Sequence, residues 1–417
     1  MLNLRDNNLF VEDVSFESVA ESFGTPCYVY SKHDLVKEFQ EYKEAFKDYP
    51  DTTICYSVKA NSNLSILKIF NSMGSGFDIV SEGELERVMR VGADPNKIVF
   101  SGVAKSYDEI KKAIEFGILF FNVESFDELK TINDISAELN LLARVSIRVN
   151  PDIDPKTHPY ISTGLKTSKF GISIDDAFDV YKKASEMKNI DIVGIDAHIG
   201  SQILDLNPFQ DSLERLEALF FRLKSININI EFIDIGGGLG IKYKDDEEPP
   251  LKKDFASKVI KIMKKMNCKL VLEPGRSLVG NAGYLITSVV YEKNNNDKNF
   301  LIVDAGMNDL LRPSLYGAFH KISKSIKSSD KKKIYDVVGP ICETGDVLGY
   351  DVQINDASIG DILVVHSAGA YGAVMGSNYN SRPKIPEILI SGDKAYLIRE
   401  KESINQILQN EVVLEDE

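Results

Sequence analysis

Lys59 stands at the end of a short apolar run, in the sequence YSVKAN, where its side chain could do chemistry. A lysine in this position is most often a surface residue whose apolar stem lies along the protein and whose ammonium reaches water. A buried lysine, in contrast, is easily shifted to its neutral form, and a neutral amine is the nucleophile that Schiff-base chemistry needs. The residues that surround Lys59 in the fold therefore decide between the two interpretations.

Two glycine-rich turns could bind a phosphate. Gly236-Gly237-Gly238-Leu239-Gly240 follows one apolar run, and Glu273-Pro274-Gly275-Arg276 follows the next. Consecutive glycines let backbone N–H groups converge on an anion, because no Cβ stands in the way. A single turn of this kind can be merely flexible. Two of them after the last two strands of a barrel are typical of a phosphate site.

Two more polar residues are compatible with a flat cofactor that contains a ring nitrogen. Glu273, in the second turn, could keep a pyridine nitrogen protonated, or it could form a salt bridge with Arg276. His198, in the sequence HIGSQ, could stack its ring on the cofactor, although most isolated histidines are structural. No group of His, Cys or Asp residues has the spacing of metal ligands, so no metal is expected.

Eight short β-branched runs that could position these residues are predicted as strands: Thr53–Val58, Phe77–Val80, Lys97–Ser101, Leu119–Val123, Ala143–Val149, Asp191–His198, Phe232–Ile235 and Leu270–Leu272. The segments between them are amphipathic and predicted as helices. Ser125–Glu138, for example, begins with Ser125 as N-cap and has Glu128 at the capping-box position. Eight alternating strands and helices favour a closed (β/α)8 barrel over an open doubly wound sheet, and we assign residues 26–280 to it.

The predicted barrel gives the candidate residues a common location. Lys59, Asp78, His198 and both glycine-rich turns end or follow predicted strands. Active sites of such barrels lie at the carboxyl ends of the strands. The shared rim therefore favours a cofactor-binding interpretation of these residues over a structural one.

The pattern changes after residue 280, where helical segments become rare. Strands are predicted at Leu285–Tyr291, Phe300–Val303, Lys333–Val338, Asp361–Val365 and Ala395–Arg399. Residues 281–417 are therefore expected to form a mostly antiparallel β-domain, together with residues 1–25, which do not fit a βα unit. The motifs RPSLY, CETGD and SAGAYG bring more polar groups into this region than turns require, although buried tyrosines and a structural cysteine are the ordinary interpretation.

Composition excludes several classes of function. The formal net charge is −14, from 49 Lys and Arg against 63 Asp and Glu, which disfavours nucleic acid and anionic membranes as partners. No apolar run approaches the length of a membrane helix, and the N-terminus does not resemble a secretory signal. The 4 cysteines form no CxxC pair, so reduced thiols in a cytoplasmic protein are expected.

In the order YSVKAN, FDIVSEGEL, HIGSQ, GGGLG, EPGR, RPSLY, CETGD and SAGAYG, these motifs resemble the fold-type III pyridoxal-phosphate-dependent decarboxylases. Within that family they are most similar to the diaminopimelate decarboxylase branch. The resemblance implies pyridoxal 5'-phosphate as cofactor and a carboxy-lyase that converts meso-2,6-diaminopimelate to L-lysine and CO2, the last step of lysine biosynthesis. A decarboxylase of arginine, ornithine or carboxynorspermidine stays open as an alternative, as does a non-catalytic protein that binds the cofactor.

The resemblance also implies roles for individual residues. Lys59 would carry the cofactor as a Schiff base, and Cys342 would donate the proton to Cα, with Glu343 or a water as the alternative. Cofactor contacts are implied for Asp78, His198, Ser201, Gly237, Gly238, Glu273, Gly275, Arg276 and Tyr371. Substrate contacts are implied for Arg276, Arg312, Tyr316, Glu343 and Tyr371. Cys342 and Glu343 would reach the site of a partner subunit, so a homodimer with a shared active site is expected.

Overall fold

The computed structural model describes residues 2–154, 163–164, 168–295, 298–327 and 331–414. The chain forms two compact units. The barrel unit comprises Val36–Ile241 and Glu248–Leu278. The β-rich unit comprises Met1–Leu35, Lys242–Glu247 and Val279–Glu417.

The elements of the first part of the chain follow one another as β1 (Leu2–Arg5), β2 (Asn8–Val11), β3 (Val14–Ser15), α1 (Phe16–Phe23), β4 (Cys27–Ser31) and α2 (Lys32–Ala45). The middle part contains β5 (Thr52–Ser57), α3 (Leu64–Ser72), β6 (Gly76–Ile79), α4 (Glu82–Arg90), β7 (Ile98–Phe100), α5 (Tyr107–Phe116), β8 (Phe120–Val123), α6 (Phe126–Leu139), β9 (Ala143–Asn150), β10 (Ile172–Ser173), α7 (Ile174–Ala184), β11 (Ile190–Asp196), α8 (Asn207–Lys224), β12 (Phe232–Asp234), α9 (Lys252–Met266), β13 (Lys269–Leu272) and α10 (Arg276–Val279). The last part contains β14 (Gly283–Asn295), β15 (Lys298–Val303), α11 (Arg312–Tyr316), β16 (Ile322–Lys324), β17 (Lys332–Val338), β18 (Val347–Asn355), β19 (Ile362–Val365), β20 (Glu387–Ser391), β21 (Lys394–Arg399) and α12 (Ile404–Leu408).

The barrel unit is a closed ring of parallel strands. The hydrogen-bonded order is β5–β6–β7–β8–β9–β11–β12–β13, and β13 pairs with β5 to close the ring. Both faces of these strands are covered, so they consist of nearly continuous buried runs such as Phe120–Val123. The predicted (β/α)8 barrel is confirmed, and each of its strands lies within a residue or two of the predicted bounds.

Side-chain caps begin five of the barrel helices, α3 to α7, where the sequence changes from strand to helix. Ser125 accepts a hydrogen bond from the backbone N–H of Glu128, as its position before α6 predicts. Ser106 and Glu109 form a full capping box at the start of α5, which ends at Gly117 in the left-handed conformation. At α5 and α6 these caps fix the residue at which the helix begins.

The β-rich unit is built around a mostly antiparallel sheet in the order β18–β17–β15–β14–β4–β20–β21, with β19 pairing with β14 and β16. The strands β1, β2 and β3 form a separate small antiparallel sheet, and the N–H of Leu9 donates to the carbonyl of Ser325 at 2.7 Å. The expected β-domain that takes in the N-terminal residues is therefore confirmed. In the parts of the chain that the structure describes, no helix combines the length and apolarity needed to cross a membrane.

Candidate active site

Lys59 lies in a single 3-10 turn, Val58–Ala60, that ends β5. Its Nζ is 2.6 Å from Oδ2 of Asp78, at the end of the neighbouring strand β6. Asp78 is fully buried, and the same Oδ2 accepts a second hydrogen bond of 2.6 Å from Oγ of Ser57. The side chain of Lys59 remains 35% exposed, so its amine is held in place while staying accessible.

His198 follows β11 and faces the glycine-rich turn after β12. The N–H of Gly237 donates to Nδ1 of His198 at 3.3 Å, so this nitrogen carries no proton. The pKa of His198 lies well below its ordinary value because the ring is removed from water and Arg148 and Lys59 are cationic neighbours. The ring is therefore neutral. A neutral imidazole can stack on a planar group without placing a positive charge against it.

The turn Gly236–Gly240 is closely packed and needs its glycines. A Cβ on Gly237 would lie 2.2 Å from the carbonyl oxygen of Glu273. Gly238 has a φ of 112°, and a Cβ there would lie 2.5 Å from the carbonyl oxygen of Gly200. Backbone groups thus approach one another at distances that no side chain permits, which brings the turns after β12 and β13 together.

The turn after β13 adds a cation next to a hydroxyl. Arg276, which is 6% exposed, donates from Nη2 to Oγ of Ser201 at 2.9 Å and from Nε at 3.2 Å. Gly275 lies against Ser57 and Ala60, where an added Cβ would be 3.0 Å from each side chain. Ser201, Gly275 and Arg276 therefore lie side by side, in an arrangement that suits an anion.

Glu273 is a buried carboxyl at the end of β13. Its Oε1 accepts from Nδ2 of Asn122 at 3.2 Å and from Oγ of Ser101 at 3.4 Å. Asn122 also donates to Oδ2 of Asp234 at 3.2 Å, so one amide bridges two buried carboxyls.

The pKa values of both carboxyls are raised. Burial raises the pKa of Glu273 well above its ordinary value, and the negative charges of Asp234, Asp78 and Asp196 add to the effect. Burial also raises the pKa of Asp234, to about 6. A carboxyl that is costly to ionise alone becomes a strong partner for a cation brought to it.

A second group of charges in the barrel was not found from the sequence. Nη1 of Arg148 is 2.7 Å from Glu124, and Nε is 3.7 Å from Asp196; all three side chains are buried. Phe170 lies over the guanidinium, with 4.8 Å between Cζ and the ring centroid. Arg148 lies near the end of a predicted strand, so its location on the rim could be predicted from the sequence. Its ion pairs with Glu124 and Asp196 could not.

The other predicted residues lie in the β-rich unit. Arg312 begins α11 and is 6% exposed, and Tyr316 ends the same helix. Oγ of Ser314, between them, donates to the carbonyl of Gly345 at 2.7 Å, which joins RPSLY to CETGD.

Cys342 and Glu343 are both exposed and are attached to the segment 379–380. The N–H of Cys342 donates to Oδ1 of Asn380 at 2.9 Å, and Oη of Tyr379 lies 3.4 Å from Oε2 of Glu343.

Tyr371 has a left-handed φ of 56°, a conformation that costs a bulky residue about 1–2 kcal/mol. Such strain is characteristic of residues whose position matters for function.

Comparison with known proteins identifies the family. The family model described as pyridoxal-dependent decarboxylase, pyridoxal binding domain, matches residues 32–280. Over 408 residues the chain is 47% identical to the diaminopimelate decarboxylase of Aquifex aeolicus, covering 98% of this chain and 96% of that one. The chain belongs to the diaminopimelate decarboxylase family.

Solved structures of the diaminopimelate decarboxylase family share the fold over nearly the whole chain. The enzyme of M. jannaschii in complex with L-lysine is 38% identical, with a TM-score of 0.95 and coverage of 99% of this chain and 98% of that one. The Helicobacter pylori enzyme complexed with L-lysine is 44% identical, with a TM-score of 0.91 and coverage of 94% and 98%.

The barrel residues fit the cofactor that this family uses. Among the described residues, the buried Oδ1 atoms of Asp78, Asn122 and Asp196 have no hydrogen-bond partner. Buried acceptors are normally satisfied, so these atoms indicate that the site is built to receive a further polar group. The close glycine turns, the amine of Lys59 and the buried carboxyl of Glu273 complete a donor and acceptor set that suits a phosphorylated pyridine aldehyde.

Proposed function

We infer that this protein is a pyridoxal-phosphate-dependent carboxy-lyase that converts meso-diaminopimelate to L-lysine and CO2. The observation that carries the inference is the amine of Lys59, held 2.6 Å from a fully buried carboxylate in a barrel of this family. Bound pyridoxal phosphate supplies the electron sink that makes loss of an α-carboxylate feasible.

Lys59 is the proposed attachment point of the cofactor. Asp78 holds its Nζ at the end of β5, so the amine meets an incoming aldehyde from a fixed position. Asp78 is fully buried, so its negative charge acts on that amine in a medium that screens it poorly.

The remaining barrel residues are proposed to hold the ring and phosphate. Glu273 pairs with the protonated ring nitrogen, which its buried position favours. The neutral ring of His198 covers one face of the cofactor. Backbone groups of Gly237, Gly238, Gly275 and Arg276, with Oγ of Ser201, bind the phosphate.

The substrate carboxylates are proposed to bind arginine and tyrosine side chains. Arg276 and Arg312 each present a planar fork that matches a carboxylate, and Tyr316 and Tyr371 add hydroxyl donors. Two arginines suit a substrate with a carboxylate at each end, which ornithine and arginine lack. Glu343 is proposed to bind the distal ammonium of the substrate.

Cys342 is proposed to donate the proton that replaces the lost carboxylate at Cα. Its side chain is exposed in this chain, and the adjacent Glu343 is the alternative donor. We propose that both residues act in the site of a partner subunit of a homodimer. All four cysteines are free thiols, which supports a cytoplasmic location.

A direct test incubates the purified protein and pyridoxal phosphate with meso-diaminopimelate, and measures CO2 and lysine. Lysine formation without turnover of ornithine, arginine or carboxynorspermidine supports the proposal. Turnover of one of those amines with no lysine from meso-diaminopimelate would overturn it. Cofactor binding with no turnover of any of them would mark a non-catalytic binding protein.

The shared site has its own test. Subunits with Lys59→Ala and subunits with Cys342→Ala are each expected to be nearly inactive as homodimers. Mixed heterodimers regain one intact site if Cys342 serves the partner's Lys59. Purified heterodimers that stay as inactive as the parents would refute the sharing of residues between subunits.

A further inference from the structure

His320 makes a hydrogen bond to Arg312 within the β-rich unit. Nε2 of His320 lies 2.8 Å from Nη1 of Arg312, and both side chains are buried, at 3% and 6% exposure. His320 lies four residues after the end of α11 and is not part of that helix. Its side chain contacts Arg312, the first residue of α11. Arg312 begins the motif RPSLY, whereas His320 lies outside RPSLY, CETGD and SAGAYG.

The partners of His320 fix its protonation state. Its Nδ1 lies 2.9 Å from the carbonyl oxygen of His366, which can only accept, so Nδ1 carries the proton. Arginine can only donate, so Nε2 accepts from Arg312 and carries none. The imidazole is therefore neutral, with its single proton on Nδ1. A second proton would remove the acceptor and place two cations 2.8 Å apart.

The surroundings hold this pair rigidly. The N–H of His366 donates to the carbonyl of Lys321 at 2.8 Å, so the chain next to His320 is tied twice to residue 366. The ring of Tyr243 meets the ring of His320 edge to face, with 5.5 Å between centroids. The same Tyr243 ring lies 4.8 Å from Cζ of Arg312. His320 contacts one edge of the guanidinium and Tyr243 covers one of its faces, so the guanidinium of Arg312 has little freedom to rotate.

We propose that His320 is a positioning residue, which holds the guanidinium of Arg312 in the orientation needed to bind a substrate carboxylate. This rests on the proposed function, since Arg312 has a substrate only if the protein acts on an amino acid with such a group. The bond to His320 uses one of the five N–H donors of the guanidinium. A pre-oriented fork loses less freedom when a carboxylate binds.

Two substitutions separate the acceptor from the donor of His320. Glutamine places Oε1 where Nε2 was and can still accept from Arg312. Asparagine places its amide at the level of Nδ1 and cannot reach Arg312. For His320→Asn we expect KM for meso-diaminopimelate to rise about tenfold with kcat changed less than about threefold, and for His320→Gln we expect KM within about threefold of the parent.

Cadaverine, a diamine without a carboxylate, is the control ligand. Its inhibition constant should be the same for the parent and both variants, because it offers Arg312 nothing to bind. An unchanged KM in His320→Asn, an equal loss in His320→Gln, or a parallel rise in the cadaverine constant would overturn the proposal, since the last two results indicate general damage to the site.

A second measurement needs neither turnover nor a stable variant. Nitrogen NMR of the parent protein labelled at its 5 histidines should show one neutral ring with its proton on Nδ1 at neutral pH. The signal is assigned by its loss in His320→Gln, or by elimination if that variant does not fold. A proton on Nε2, or a charged ring, would refute the hydrogen-bond arrangement even if the protein proved to have another substrate. A parent that makes no lysine but shows this ring refutes the proposed function alone.

Discussion

Lys59 and Asp78 form an ion pair of 2.6 Å across two neighbouring strands of the barrel, with the carboxylate fully buried and the amine partly exposed. The two side chains differ in exposure, and a buried charge without a partner is much more destabilising than an exposed one. Asp78 fixes the amine, while the exposed side of Lys59 stays open to reactants.

Lys59 should be the lysine that binds the cofactor covalently. Borohydride reduction of the holoenzyme is expected to add the pyridoxyl phosphate mass to the peptide that contains Lys59, as seen by mass spectrometry. Lys59→Met should lose this modification and at least about a thousandfold of activity. Lys105, whose side chain is 1% exposed and bonded to Glu128, is the internal control and should stay unmodified. Label on Lys105, or on Lys59→Met, would contradict the assignment.

Glu273 should control the electronic state of the bound ring. Glu273→Gln keeps the size of the side chain but removes its charge, so kcat for decarboxylation is expected to fall about a hundredfold. The visible absorbance of the bound cofactor should shift as well, because the ring nitrogen loses its counter-charge. Ser101→Ala is the matched control, since it removes the 3.4 Å contact to Glu273 and the 3.1 Å contact to Asn122 but leaves the carboxyl of Glu273 in place. An unchanged spectrum in Glu273→Gln would count against this pairing.

The barrel could be predicted from sequence because its signals are local. Each strand is a short run of buried apolar residues between helices with recognisable caps, as at Ser125. The segment Cys27–Ser31 shows the limit. It is buried along its whole length, and it pairs with β14 and β20 in the β-rich sheet. An apolar run does not specify which sheet receives it, since that depends on partners hundreds of residues away.

The site shows the same division. Lys59, Glu273 and the glycine turns lie at strand ends, a location that the barrel pattern alone predicts. Arg148, Asp234 and His320 could not be assigned roles, because their partners come from distant parts of the chain. A charged residue in an apolar strand interrupts the hydrophobic pattern. Its role becomes clear only when the folded structure shows which residue of opposite charge it contacts.

Gly237 should be indispensable for packing even though its φ is not left-handed. Gly237→Ala would place a Cβ 2.2 Å from the carbonyl oxygen of Glu273, so the two turns must separate. We expect a loss of about 1–3 kcal/mol in stability and faster loss of pyridoxal phosphate on dialysis. Gly83→Ala, in α4, has only Ser81 Oγ at 3.9 Å and should be neutral or slightly stabilising. Equal melting temperatures for the two variants would contradict the steric argument.

His366 should make the stability of the protein fall as the pH is lowered. Burial is the main cause that lowers its pKa from 6.5 to about 4, with Lys321 adding to the effect and Asp245 opposing it. Between these two pH values the unfolded chain binds a proton that the folded chain does not, so stability is present above pH 6.5 and is lost progressively down to about pH 4.

The variant His366→Gln removes this titration while it keeps a polar partner for Ser323, whose Oγ lies 2.8 Å from Nε2. The slope of unfolding free energy against pH should therefore decrease by up to about 1.4 kcal/mol per pH unit in that window, relative to the parent. Urea unfolding of both proteins at several pH values measures the difference. Parallel curves for the two proteins would show that His366 takes up its proton equally in the folded and unfolded chain.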